Sequence, residues 1–160
     1  MDLTKIPGLG KLSIQNILSG VGLDMNKWPT EKHFSSWLGL SPSNKITEEK
    51  VFSTKTRKVV NRAATAFRLA AYSVGKSQTS LGAFYRRQKS RLEAPKAITA
   101  TARKIACLFY IAMKFDITYV EQGVNYYEQN YQKQIIKNLM QRASKMGFTL
   151  VKTEDCTAVS

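Results

Sequence analysis

A hydroxyl followed by two carboxylates lies inside a basic segment, the stretch KITEEKVFSTKTRK at residues 45–58. Thr47 directly precedes Glu48 and Glu49. A hydroxyl beside a bound phosphate is a candidate nucleophile, whereas two carboxylates repel a phosphate at short range. An alternative interpretation is a helix start, in which Thr47 is the cap and the two acids lie in the first turn. The cations that surround this group are Lys45, Lys50, Lys55, Arg57 and Lys58.

The other residues able to do chemistry form no recognisable catalytic or metal-binding set. His33 is the only histidine and has no Asp, Glu or Cys at ligand or triad spacing, so we interpret it as a structural or surface residue. The positions of Cys107 and Cys156 indicate neither a disulfide framework nor a zinc site, and we expect both to be reduced. Ser53 is a second hydroxyl in the basic segment.

Two glycines near the start of the chain indicate a site where backbone approaches a ligand. Pro7-Gly8-Leu9-Gly10 precedes a helix expected to start near Lys11. Glycines permit a tight turn, and a helix N-terminus offers N–H groups to a phosphate. Leu12 follows Lys11 where a nucleotide-binding P-loop requires Ser or Thr. The turn instead resembles that of helix-hairpin-helix modules, which grip a nucleic-acid backbone, although a plain connector would also need these glycines.

Charge is the strongest compositional signal. The 160-residue chain has a formal net charge of +14, and residues 45–104 hold 15 Lys and Arg against three Glu, which is +12 of that total. The cations are spread over several expected helices, which favours nucleic acid over a membrane surface as the partner. No apolar run reaches the roughly 18 to 20 residues of a membrane span, and Met1 opens no signal peptide. We therefore expect a cytoplasmic protein.

The spacing of apolar residues predicts an almost entirely helical chain, with few hairpin signals. One amphipathic helix is expected from Thr56 to about Lys76, and another from Pro95 to about Phe115. Pro29-Thr30 indicates the start of a further helix, and Trp28 and Trp37 are interpreted as core anchors rather than base-stacking residues.

Thr118 and Glu121 fit a capping box that opens a long C-terminal helix, and Gly147 ends that helix. The expected fold class is all-α, with a helix-hairpin-helix near residues 6–23. The expected organisation is one domain over residues 1–151 and a flexible tail at 152–160.

Five blocks of sequence, in this order and spacing, carry a family resemblance: IPGLG, WPTEKHFSSWLGLSP, KTRKVVNRAATAFRLAA, LGAFYRR and APKAITATARKIA. They resemble the C-terminal domain of the Piv/MooV-like DEDD insertion-sequence transposases, the one-hundred-ten group, from about Leu3 to Val151. Members of that family join this domain to an N-terminal RuvC-like domain with four metal-binding acids. The resemblance therefore implies a truncated or separately encoded fragment without that acid quartet.

The resemblance gives the opening stretch a specific role. After the Gly39-Leu40-Ser41-Pro42 turn the family typically has Ser-Gly-Gly, and Thr47-Glu48-Glu49 occupies those three positions here. The family's serine is a nucleophile, so Thr47 stands at the catalytic position. Threonine adds a stiff β-methyl, and the carboxylates replace glycine backbone where a phosphate must approach. We interpret the pair as damage to an active site.

The resulting hypothesis is a DNA-binding transposase domain that tracks phosphates. The resemblance implies DNA as partner, a bridge RNA as a guide in some members, a RuvC-like partner domain with Mg²⁺, and a homo-oligomer. This chain itself is expected to hold no metal and to contact no membrane. Alternatives are a non-catalytic nucleic-acid binding module or decayed remnant, and an RNA-binding protein that uses Tyr126, Tyr127 and Tyr131, although tyrosines at this spacing more often pack between helices. The expected nucleic-acid contacts are Gly8, Gly10, Lys11, Lys45, Lys50, Lys55, Arg57, Lys58, Arg62, Arg68, Arg86, Arg87, Arg103 and Lys104.

Overall fold

Helices dominate the structure, a computed structural model that describes residues 1–42, 45–47, 50–53, 56 and 59–152. Within these residues the order of elements is α1 (Lys11–Val21), α2 (Glu31–Trp37), β1 (Lys45–Thr47), β2 (Lys50–Ser53), α3 (Arg62–Val74), α4 (Ser80–Arg91), α5 (Ala94–Phe115) and α6 (Gly123–Lys145). Single 3-10 turns lie at Leu3–Lys5 and Met25–Lys27. The all-α class is confirmed, with one addition. The two short strands form an antiparallel hairpin, although the sequence offered few hairpin signals.

Small residues on α3 let the core pack closely. Seven residues of this helix are buried and five of them are alanines, so α1 and α5 approach its backbone on two sides. Phe67 from α3 meets Phe109 from α5 edge to face at 5.5 Å, and Phe34 from α2 contacts both rings. This aromatic centre joins α2, α3 and α5.

Helix α5 is the central element of the fold. Its buried face includes Ala102, Ile105, Phe109 and Ala112, as the apolar spacing predicts. Near its end the Tyr110 hydroxyl donates to the Trp28 carbonyl at 2.7 Å, and the Lys114 ammonium donates to the same carbonyl at 3.2 Å. These bonds fix the segment that leads into α2.

The expected starts of two helices are wrong by several residues. Helix α3 begins at Arg62 rather than Thr56, because the extended Asn61 accepts a hydrogen bond from the Ala63 N–H at 2.8 Å and caps the helix. Helix α6 begins at Gly123 rather than after Thr118. The N-cap residue is Gln122, and the carboxylate of the preceding Glu121 accepts the Gly123 N–H at 2.9 Å. The expected end at Gly147 is confirmed by its φ of 81°, which suits glycine.

Other features of the sequence reading agree with the structure, with one exception. Thr30 caps α2, and its hydroxyl lies 2.8 Å from the Nδ1 of the exposed His33. Trp28 is buried, and Trp37 packs against it with ring centroids 5.0 Å apart. Trp28 is therefore an anchor in the core as predicted, whereas the prediction is wrong for Trp37, which is 37% exposed and packs against Trp28 from the surface.

Candidate nucleic-acid interface

Thr47 is the last residue of β1, and its cross-strand partner is Lys50 at the start of β2. The other hydroxyl, Ser53, pairs with Lys45 at the opposite end of the same hairpin. Two residue steps along a strand separate the ends by about 7 Å. Thr47 and Ser53 therefore lie at different ends of the hairpin. Glu48, Glu49, Lys55, Arg57 and Lys58 lie outside the described residues.

The base of this hairpin is joined to the core through the end of α2. Gly39 has a φ of 67°, and the Leu40 N–H donates to the Ser35 carbonyl at 3.0 Å, which reverses the chain after the helix. Leu40 is buried, and the Ser41 hydroxyl lies 3.0 Å from the hydroxyl of the buried Ser35. Pro42 then pairs with Thr56 in an antiparallel bridge. The hairpin that carries Thr47 thus emerges from a fixed point.

Gly8 is required by packing, since it lies against the backbone of α3. Its φ is 87°, a conformation that L side chains rarely adopt. A Cβ at this position would lie 2.7 Å from the Ala70 carbonyl oxygen and 2.7 Å from a methyl of Val74. Both contacts are too short, so the glycine allows the turn to dock on α3. The geometric reason for this glycine is therefore independent of any ligand.

Gly10 differs from Gly8 in having open space around it. It is the N-cap of α1 with an extended φ of −84°, it makes no side-chain cap hydrogen bond, and a Cβ added there meets no atom within 4 Å. Lys11 beside it is exposed. The first backbone N–H groups of α1 consequently face outward without a side-chain acceptor, which is the arrangement that binds phosphate at helix N-termini.

Two cations predicted on α3 differ in exposure. Arg62, at the first position of the helix, is exposed, and Arg68 is half-buried. The Gly20 backbone of α1 packs against the start of α3, where a Cβ would lie 3.6 Å from the Ala63 Cβ. This close packing sets Arg62 near the C-terminal half of α1, while Gly10 and Lys11 lie at the other end of that helix.

Two of the three arginines of α4 already have partners within the protein. The Arg86 guanidinium donates to the carbonyls of Gly75 and Ser77 at 3.1 and 2.8 Å, which satisfies groups at the end of α3. Arg87 forms an ion pair with Glu128 of α6 and lies 3.5 Å from the ring centroid of Tyr131. Both arginines line a surface cleft of about 420 Å³ together with Arg91. Arg87 in particular holds α4 against α6.

Lys104 on α5 and Arg87 both contact the ring of Tyr127; these residues with Phe84 and Tyr131 form the cationic–aromatic cluster. Its ammonium lies 4.5 Å from the ring centroid of Phe84 and 5.5 Å from that of Tyr127, and these two rings meet edge to face at 6.3 Å. Lys104 is exposed, but desolvation by neighbouring atoms lowers its pKa, and the nearby Glu121 carboxylate opposes that effect. Arg103, one position earlier on α5, is half-buried. Tyr127 and Tyr131 therefore serve helix packing, whereas Tyr126 is 48% exposed.

Glu121 joins the starts of two helices, whereas the sequence predicted a capping box with Thr118. Its carboxylate accepts the Ser80 N–H at 2.7 Å, the Gly123 N–H at 2.9 Å and the Tyr119 hydroxyl at 2.9 Å. Burial alone would raise its pKa, but these hydrogen bonds outweigh burial and lower the pKa of Glu121. Burial raises the pKa of Tyr119 to about 12, so its hydroxyl remains a proton donor at neutral pH. One carboxylate thus caps α4 and α6 together.

The described residues offer two further observations. They include no group of three or more His, Cys, Asp and Glu side chains that could hold a metal ion. None of the helices described is both long enough and apolar enough to cross a membrane.

Residues 2–86 match the model of the transposase IS116/IS110/IS902 family. This match covers more than half of the chain, from the glycine turn through the hairpin to the middle of α4. The chain belongs to this transposase family. A search of curated proteins found no match, and neither did a search of solved structures. The matched region contains Thr47, Gly8, Gly10 and the cations up to Arg86, whereas Arg87 and the cluster on α5 and α6 lie beyond it.

Proposed function

We propose that this transposase-family chain is a C-terminal, DNA-binding domain that grips the phosphate backbone. The observation that carries the proposal is the family match over residues 2–86, which spans both the glycine turn and the basic segment. Gly10 and Lys11 provide outward N–H groups and one cation, and Arg62 adds an exposed cation on α3. These groups suit contacts to phosphates, which position a protein without reading sequence.

We further propose that Thr47 occupies the nucleophile position but has lost catalysis. Attack would join the threonine oxygen to a DNA phosphorus, transfer its proton and release one DNA oxygen as a hydroxyl. A nucleophile must come within about 3 to 3.5 Å of the phosphorus. At that range the negative charges of Glu48 and Glu49 oppose the approach of a phosphate. These two residues favour the second candidate function, a non-catalytic nucleic-acid binding module.

A catalytically complete assembly would need components outside the described residues. The family supplies a RuvC-like domain whose acids would hold Mg²⁺, and some members use a bridge RNA and assemble as oligomers. We propose these partners only for the complete transposase, and we assign this chain the part that binds DNA.

Salt dependence tests the binding proposal directly. If the chain neutralises about six phosphates, its affinity for a duplex of arbitrary sequence should fall by about a thousandfold between 50 and 200 mM salt. The measurement is fluorescence anisotropy with labelled duplexes of two unrelated sequences. Binding that is insensitive to salt, or absent at low salt, contradicts the proposal.

Trapping of a covalent protein–DNA adduct tests the catalytic part. The chain, supplied with a competent RuvC-like domain, Mg²⁺ and bridge RNA, should give no adduct on labelled DNA under denaturing conditions. The combined variant Thr47→Ser, Glu48→Gly and Glu49→Gly should restore some adduct. A strong adduct from the unmodified chain, mapped to Thr47, would show that the acidic pair is compatible with catalysis.

A further inference from the structure

The C-terminal half of α6 extends beyond the helices that pack against its first half. Helix α6 is anchored to α4 near Arg87, Tyr127 and Tyr131, but every residue from Gln132 to Arg142 is exposed. At 1.5 Å per residue this exposed stretch is about 16 Å long. Helices gain most of their stability in proteins from packing of an apolar face. The exposed half of α6 therefore has no such support within the part of the chain that the structure describes.

This half nevertheless carries a continuous apolar face. Ile135 is 40% exposed, Ile136 52%, Leu139 49% and Met140 49%. Ile136 and Leu139 follow the spacing that forms the seam of a coiled coil, whereas Ala143, the next seam position, is only 8% exposed. Such a cluster of exposed aliphatic side chains is uncommon on a monomeric surface and typically marks an interaction site.

Cations border this face on both sides. With Ile136 and Leu139 on the seam, Lys133 and Arg142 occupy the outer flanking positions and Ile135 and Met140 the inner ones; charges at flanking positions influence partner choice. Lys137 and Lys145 lie further round the helix. Within the described residues none of these four cations forms an ion pair, and the sequence has no Asp or Glu from Gln129 to Lys152. The face is therefore apolar at its centre and carries only positive charges around it.

We propose that this face of α6 binds an acidic amphipathic helix of another protein, whose apolar seam is bordered by Asp and Glu. Charge complementarity favours this occupant. A second copy of the chain would bring cations against cations, and this repulsion selects against self-pairing. A lipid surface is the competing occupant, because helices that lie on membranes also join Lys and Arg to an apolar face, although residues 132–145 lack the Trp and Phe that such helices commonly insert. The surface is distinct from the DNA-binding residues and does not depend on them.

A synthetic peptide provides the probe. It has three heptads with Ile and Leu on the seam and Glu at the flanking positions, and it carries a fluorescent label. We expect saturable binding to the full chain at 150 mM salt, measured by anisotropy, and no binding of a peptide that has Lys in place of Glu. The variant Ile136→Gln with Leu139→Gln should bind the acidic peptide about 10- to 100-fold more weakly, since two half-exposed aliphatic contacts are lost.

The matched control is Leu23→Gln with Ile117→Gln, which removes two aliphatic side chains that are 76% and 52% exposed elsewhere on the surface. This variant should bind the peptide as the parent does. Both double variants leave the net charge unchanged, so purely electrostatic attraction would persist in both, and equal peptide binding by the two overturns the proposal. DNA binding should be the same in both variants, which separates this proposal from the proposed function.

Two other results would also overturn the proposal. One is a dimer in sedimentation velocity that the Ile136→Gln and Leu139→Gln changes dissolve, because the occupant would then be a second copy. The other is absence of peptide binding combined with sedimentation of the chain on vesicles containing 30% anionic lipid.

Discussion

Replacing the two glycines of the Pro7–Gly10 turn one at a time should separate folding from DNA binding. At Gly8, an alanine must adopt a φ of 87°, which costs about 1 to 2 kcal/mol. Its Cβ would also lie 2.7 Å from the Ala70 carbonyl oxygen, a backbone atom that cannot rotate away. Relief of such overpacking costs about 1 to 3 kcal/mol, so Gly8→Ala should destabilise the protein by about 2 to 5 kcal/mol.

Gly10→Val should have the opposite profile. Its φ of −84° is ordinary for any residue, no atom lies within 4 Å of an added Cβ, and only the weaker N-cap preference is lost, at about 0.5 to 1 kcal/mol. The new side chain would nevertheless prevent close approach of a phosphate to the start of α1. Loss of one charge-assisted hydrogen bond predicts about tenfold weaker DNA binding.

The assays are thermal unfolding followed by circular dichroism, and anisotropy on a labelled duplex at 50 mM salt. Gly123→Ala is the matched control for backbone strain, since its φ is 77° but no atom lies within 4 Å of an added Cβ. The excess destabilisation of Gly8→Ala over Gly123→Ala reports the contact with α3. If Gly10→Val binds DNA as tightly as the parent protein, the turn serves only as a connector between elements. If Gly8→Ala is as stable as the parent protein, the packing argument is refuted.

Two further predictions use paired substitutions. Glu121→Ala should lower the free energy of unfolding by about 2 kcal/mol, because it removes a carboxylate that accepts the first N–H group of two helices. Glu93→Ala, at an exposed ion pair, should lower it by less than about 0.5 kcal/mol. Denaturant titrations measure both values. Because folding lowers the pKa of Glu121, the ionised carboxylate contributes its full stability above the usual pKa of 4.5, and this stability is lost as the pH falls through the lowered pKa. Glu121→Gln should therefore make the free energy of unfolding depend less on pH in the acid range. An unchanged acid transition would contradict this. Arg87→Ala should lower the melting temperature with little change in the salt slope of DNA binding, while Arg62→Ala should lower that slope by about one and leave the melting temperature unchanged. If instead Arg87→Ala lowers the salt slope and Arg62→Ala lowers the melting temperature, then Arg87 contacts DNA and Arg62 stabilises the fold.

Local chemistry accounts for the parts of the fold that were predictable. Thr30 before Glu31, the apolar spacing of α5 and Gly147 at the end of α6 act within one or two helical turns, so the residues themselves indicate these boundaries. Hairpin β1–β2 escaped prediction because its strands have three and four residues, too few for sustained alternation.

Long-range contacts decided the rest. In the sequence, Arg86 and Arg87 are adjacent cations of the kind that contact phosphates. In the structure, Arg86 donates to carbonyls at the end of α3, and Arg87 pairs with Glu128, 41 positions away. The Glu121 carboxylate likewise accepts the N–H of Ser80, which is 41 positions away. Because the sequence shows only local neighbours, it predicted a capping box with Thr118 instead.

The sequence by itself determined the net positive charge and the helical class, because these properties depend on residue type and order. Only the tertiary structure decided which cations stay available for a ligand and which glycine is open. A guanidinium or a Cβ is free or blocked according to atoms from distant segments, and packing alone brings those atoms within a few ångströms.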